Sequence, residues 1–113
     1  MSARPLFRLM FVALCATAAA AHQTTTVRGR IDRVGADGHP HPAPYLTVTL
    51  RTPDTGHRTD PSYTGRDGMY YIYGVAPGTY YLEVRVLPLG ALYTYRIEAR
   101  SQPYTDVAPL VVP

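Results

Sequence analysis

Beyond residue 22 the chain is built from short runs in which apolar and polar positions alternate. Glycine or proline interrupts every few residues, and no window places apolar residues at a helical spacing. In YLTVTLR, Leu46, Val48 and Leu50 alternate with Tyr45, Thr47, Thr49 and Arg51, the period of a strand with one face in a core and the other in water. Read in this way, the pattern predicts seven strands, over 25–34, 45–51, 57–64, 68–73, 79–86, 92–98 and 106–112. Turn chemistry separates several of them: Asp37-Gly38, the PDTG of residues 53–56, Asp67-Gly68 and Pro77-Gly78. Such a succession belongs to an all-β sandwich or barrel.

The stretch GRDGMYYIYGVAPGTYYLEV, residues 65–84, holds five of the ten tyrosines. Strand phase divides them. Tyr70 and Ile72 share a parity in the first run, and Tyr80, Leu82, Val84 and Val86 share one in the second. Tyr70 and Tyr80 are therefore expected to fill the core with their hydroxyls at its rim, and Tyr71, Tyr73 and Tyr81 to point outward.

The first residues depart from this pattern. Arg4 and Arg8 precede a mostly apolar run from Leu9 to Ala21 that ends on small residues, the layout of a secretory signal peptide. The run is shorter than the roughly 20 residues that span a bilayer. Residues 1–21 are thus expected to be removed, leaving residues 22–113 as one domain, exported to the periplasm or the extracellular space and without a transmembrane segment. Leu14 before Cys15 argues against lipoprotein anchoring, which calls for a small residue there.

Removing the leader changes the charge picture. The whole chain carries +3, but nine arginines face eight acids beyond residue 21, so little basic excess remains to attract nucleic acid. Cys15 is the only cysteine and lies in the leader, which rules out disulfides, thiol nucleophiles and thiolate metal ligands in the mature domain. Lysine and asparagine are absent, excluding lysine Schiff bases, Lys–Asn crosslinks and N-glycosylation.

VRGRID at 27–32, DGHPHPAPYLTVTL at 37–50 and TGRDGMYYIYGVAPGTYYLEVRV at 64–86 together resemble the carboxypeptidase regulatory-like domain. The matching positions include Gly29, Gly38, Pro42, Val48, Leu50, Thr64, Asp67, Gly68, Tyr70, Val75, Pro77, Gly78, Tyr80, Leu82 and Val84. The resemblance implies a prealbumin-like (transthyretin-like) seven-stranded Greek-key β-sandwich, generally without catalytic residues of its own; no cofactor is expected. It further implies that the strands ending at Tyr73 and beginning at Thr79 lie in opposite sheets, where periodicity alone equally permits a hairpin. HPHPAP at 39–44 and the segment after Val86 depart from the family pattern. A hydroxyisourate hydrolase, also built on this sandwich, would carry a C-terminal YRGS-like motif that the tail lacks.

Three chemistries remain for such a domain. Tyr45, Thr47, Thr49, Tyr81, Tyr93 and Tyr95 would form an outward aromatic and hydroxyl surface able to stack sugar rings or dock an envelope or extracellular protein. Arg28 and Arg30 would lie over Tyr71 and Tyr73 on the other face. His22, as a mature N-terminus, with His39 and His41 offers a metal site, and Asp37 with His39 and His41 offers another. The prolines at 40, 42 and 44 oppose both by favouring a polyproline path, the signature of a stiff solvent loop. His57, Asp60 and Ser62 are conceivable triad partners with no nucleophile motif around them. The leading expectation is a non-catalytic binding or interaction module, with a polysaccharide-binding module and a metal-dependent activity as the alternatives.

Overall fold

The structure is a computed structural model that describes residues 23–86 and 90–113. The expected signal peptide and His22 lie outside the described residues. Among those residues every regular element is a strand, nine in all, arranged in two sheets.

The first sheet is organised around β1 (Thr25–Val34), whose Val27, Gly29 and Ile31 face inward while Arg28 and Arg30 face out. Antiparallel β5 (Met69–Val75) pairs with its first half and antiparallel β2 (Pro40–Pro42) with its last residues. On the opposite side, β8 (Tyr104–Asp106) and β9 (Leu110–Val112) run parallel to β1, at residues 26–28 and 31–33. The second sheet is antiparallel throughout, in the order β4 (Ser62–Tyr63), β3 (Thr47–Arg51), β6 (Gly78–Val86), β7 (Ala91–Ala99).

One core joins the sheets. Val27, Ile31, Tyr70, Ile72 and Val112 from the first meet Val48, Leu50, Leu82, Val84 and Val86 from the second. Full burial of side chains of this size contributes about 1.5–3 kcal/mol each, the main support for a domain without a disulfide. The chain passes from β5 to β6 by crossing between sheets through Val75, Ala76 and Pro77, so Tyr71 and Tyr81 lie on different sheets rather than side by side in a hairpin.

Four local features differ from the pattern expected from sequence. HPHPAP is not a polyproline loop: Pro40–Pro42 is an edge strand closing a hairpin on β1, where Asp37 accepts the His39 amide at 3.0 Å. Prolines suit an edge because they offer no N–H to a further strand. The strand expected over 57–64 shrinks to Ser62–Tyr63 and a bridge between Arg51 and Arg58, with Pro61 breaking the ladder. The last expected strand divides at residues 107–109, which include Pro109, into β8 and β9. Tyr45 sits in a turn before β3 at φ 62°, held by its amide to the Thr64 carbonyl at 2.9 Å.

Thr64 secures that turn from beneath. Its buried hydroxyl donates to the Ala43 carbonyl and accepts from the Leu46 amide. Gly68 locks the neighbouring turn to β1, with φ 77° and its carbonyl accepting the Ile31 amide at 2.9 Å. A Cβ there would lie 2.5 Å from the Ile31 oxygen, so only glycine fits.

Candidate functional site

The residues expected to form an aromatic surface on the second sheet are only partly brought together. Thr47, Thr49 and Tyr81 share its outer face, since Thr47 pairs with Arg85, Thr49 with Glu83 and Arg51 with Tyr81. Tyr93 and Tyr95 do not join them. They pair with Val84 and Leu82, whose side chains are in the core, and so they point inward and pack half-buried against it. Tyr45 is exposed in its turn, outside the strand.

Nor is Tyr81 a bare platform. The Arg51 guanidinium lies 4.8 Å from its ring centroid. Beside it Glu83 accepts from Arg58 at 2.7 Å and from Arg51 at 3.3 Å, and is 4% exposed although its side chain leaves the sheet on the outer side. These arginines, Arg58 foremost, hold the Glu83 carboxylate below its ordinary pKa. Around Tyr81 the face is covered by these ion pairs, while Tyr63, opposite Thr47, is 61% exposed on it.

A second group of exposed aromatics lies across the other sheet. Along the outer side of β5, β1 and β8, one row is Tyr71, Arg28 and Asp106, and the next contains Thr26 and Tyr104. Tyr73 enters this second row at a bulge, where Thr26 faces both Tyr73 and Gly74. Tyr71 and Tyr73 share a side by ordinary alternation, and the bulge at Gly74, which takes φ 67°, then shifts the phase so that Val75 turns into the core. Their rings are 6.4 Å apart and within 12° of parallel. Tyr71, Tyr73 and Tyr104 are respectively 41, 74 and 50% exposed.

Arg28 is the hinge pin of this face, though not over Tyr71 and Tyr73 as expected. Its guanidinium stacks 3.9 Å from the Tyr104 centroid and donates to Asp106 at 2.6 Å. Asp106 is correspondingly lowered in pKa by that hydrogen bond, and Arg28 raised. Arg30 likewise donates to Asp32 at 2.9 Å. At the free edge of β5 the segment 59–62 runs alongside, fixed by the Ser62 hydroxyl donating to the Tyr71 carbonyl at 2.8 Å. Between them is a groove of about 380 Å³ lined by Thr59, Asp60, Pro61, Ser62, Tyr71 and Tyr73.

The remaining candidates are less developed. His41 Nε2 contacts Asp37 Oδ2 at 2.8 Å, and the Asp37 carboxylate is held low in pKa by the His39 amide first and His41 second. Among the described residues no three metal-ligating side chains converge. The Ser62 hydroxyl is committed to a backbone carbonyl, while the amide of His57 closes the turn onto Thr52. A larger cleft, about 500 Å³, separates β7 from β8 and β9, with Tyr95, Ile97, Val107 and Leu110 among its lining residues. Among the described residues no helix is long and apolar enough to cross a membrane.

The fold has relatives among solved structures. A proposed carbohydrate-binding protein from Pseudomonas aeruginosa superimposes with a TM-score of 0.54 at 16% identity, over 80% of this chain and 90% of that one. (S)-Allantoin synthase superimposes with a TM-score of 0.53 at 15% identity over 81% of this chain, which spans 41% of that enzyme's chain. At these identities the likeness concerns the fold alone. No protein-family model and no curated protein sequence matches the chain.

Sequence reasoning placed Tyr71 and Tyr73 on this outer face but laid Arg28 and Arg30 over them, whereas Arg28 stacks on Tyr104. Tyr104 carried no signal at all: it follows Pro103 just before a short strand, and only the parallel pairing with β1 sets it beside Arg28.

Proposed function

We propose that the protein is an exported, non-catalytic binding module of the carboxypeptidase regulatory-like, Greek-key β-sandwich type, and that its ligand is a carbohydrate. The carrying observation is the outer face of the first sheet, where Tyr71 and Tyr73 are exposed on β5 with near-parallel rings, and Tyr104, with Arg28 over its ring, lies on the same face across β1. Near-parallel rings on a rigid sheet present flat apolar faces to the C–H side of a sugar ring without ordering any loop on binding. The fold shared with a proposed carbohydrate-binding protein supports this reading, as does the signal-peptide pattern of residues 1–21, which suits a ligand outside the cytoplasm.

Tyrosine fluorescence titrated with a panel of soluble polysaccharides tests it. A saturable change is expected. Tyr71→Ala with Tyr73→Ala should weaken binding about tenfold or more, from about 0.5–1.5 kcal/mol per aromatic contact beyond area alone. Tyr81→Ala, which removes a ring already covered by Arg51, should leave the affinity in place. No response to any polysaccharide, or a loss confined to Tyr81→Ala, overturns the proposal and leaves a protein partner as the better explanation of the exposed face.

A further inference from the structure

Resting on the carbohydrate reading, we propose that the Tyr71–Tyr73 shelf takes a neutral glycan, and that Asp60 selects it by accepting hydrogen bonds from the hydroxyls of the stacked sugar.

The charges around the shelf are unevenly paired. Both arginines on this face have carboxylate partners, Arg28 with Asp106 at 2.6 Å and Arg30 with Asp32 at 2.9 Å. Neither is left over to receive an acidic sugar. Asp60 differs: it lines the groove with Tyr71 and Tyr73, and no hydrogen bond or ion pair among the described residues engages its carboxylate. The uncompensated charge beside the rings is therefore negative.

A carboxylate has acceptor sites on both oxygens and no donor, so it suits adjacent hydroxyls, each of which brings a proton. Hydrogen bonds to an ionised acceptor are roughly twice as strong as neutral ones. A uronate or sulfate ester in the same place would bring a second negative charge and acceptors with nothing to accept, at a cost in affinity.

Position supports the role. Asp60 lies between Thr59 and Pro61. The Thr59 amide donates to the Leu50 carbonyl at 2.9 Å, and its hydroxyl accepts the Leu50 amide at 3.0 Å. Proline restricts both its own φ and the residue before it, so Asp60 is confined to extended conformations. With Ser62 tied to the Tyr71 carbonyl, the carboxylate is carried on a fixed rim at the edge of the strand that bears both rings. Sugar faces stack on the rings while sugar edges meet the rim.

Affinity gel electrophoresis of the protein with neutral glycans (a glucan, a mannan and a xylan) and acidic ones (polygalacturonate and alginate) separates the outcomes. Retardation by at least one neutral glycan and not by the acidic pair is expected. Asp60→Asn should weaken neutral binding about tenfold with an unchanged melting temperature, and should improve binding of the acidic glycans relative to the neutral ones, a shift that a purely structural role would not produce. Preferential binding of an acidic glycan, or unchanged affinity and selectivity in Asp60→Asn, overturns the assignment while leaving the carbohydrate reading intact if Tyr71→Ala with Tyr73→Ala still weakens binding. Failure of every glycan overturns both.

Discussion

Replacing Gly29 with alanine is expected to destabilise the domain by about 1–3 kcal/mol, the cost of overfilling a packed core. Replacing Tyr70 with phenylalanine in the same chain should restore much of that loss. The two residues pair directly across β1 and β5. Tyr70 is fully buried with its ring over Gly29, and a Cβ at residue 29 would meet the Tyr70 hydroxyl at 2.6 Å and its Cζ at 3.0 Å. The ring has nowhere to go, because Val27, Ile31 and Ile72 are packed in the same core. The hydroxyl itself is buried with no hydrogen-bond partner, and burial pushes its ionisation far above the ordinary tyrosine range. An unpartnered buried hydroxyl costs about 1–3 kcal/mol, so Tyr70→Phe alone should stabilise by about 1 kcal/mol, the small void it leaves offsetting part of the gain. In a domain of this size that is roughly 4–8 °C in melting temperature. Urea melts of the wild type, both single variants and the double variant form a cycle with a marked coupling term. Strict additivity, or a Tyr70→Phe variant less stable than the wild type, would show that the hydroxyl has a partner and the ring room to move.

That pair illustrates what a single sequence does and does not carry. Alternation placed Val48, Leu50, Tyr70, Leu82 and Val84 in the core, because a period of two over five or more residues leaves one phase for the apolar set. It put Tyr70 inside but its hydroxyl at a rim, since periodicity specifies a face and not a depth. Length and pairing were harder. Residues 57–64 have strand-like residues around Tyr63, yet Pro61 removes a ladder donor, and beyond the isolated bridge at Arg58 only Ser62 and Tyr63 pair. HPHPAP read as polyproline because proline's own torsion is compatible with that path. A neighbour on one side is enough to make it a strand, and that neighbour is distant information. The same is true of β8 and β9, whose three-residue lengths give no period and whose parallel partner lies about 80 residues earlier.

The structure does not gather the six residues expected to form one aromatic surface. In ALYTYRIEA both phases contain an apolar residue near the start, Leu92 on one and Tyr93 on the other. The core partners Val84 and Leu82, which are set by register, decide that the tyrosines go in. Tyr81 was correctly read as outward, but nothing local reveals that Arg51, one strand away, covers its ring. Tyr71 and Tyr73 were read as outward too. What sequence lacked was the strand opposite them, which sends Arg28 to Tyr104 and Asp106 and leaves the two rings open.

Glu83 provides the sharpest electrostatic test. The side chain is on the outer face of β6 yet 4% exposed, because Arg58 at 2.7 Å and Arg51 at 3.3 Å close over it. Hydrogen bonds to charged groups are worth about 1.5–3 kcal/mol when buried, whereas exposed ion pairs contribute about 0–1. Glu83→Ala is expected to fall between, near 2 kcal/mol, because the arginines it abandons are partly solvated and can turn to water. Glu83→Gln keeps the shape and removes the charge, so it isolates the ionic part. The folded-state pKa of Glu83 is lowered, first by the Arg58 hydrogen bond, against an unfolded value of about 4.3. Below that unfolded value the denatured chain takes up a proton that the folded chain resists, so stability from this group is full above about pH 5 and declines as acid titrates the folded carboxylate. The stability gap between wild type and Glu83→Gln should accordingly be constant from pH 5 to 8 and narrow steadily below pH 4 in chemical melts at each pH. Arg58→Ala should reproduce most of the effect and Arg51→Ala less, in the order of their contacts. A gap that stays constant into acid would mean that the two arginines hold Glu83 by shape and not by charge.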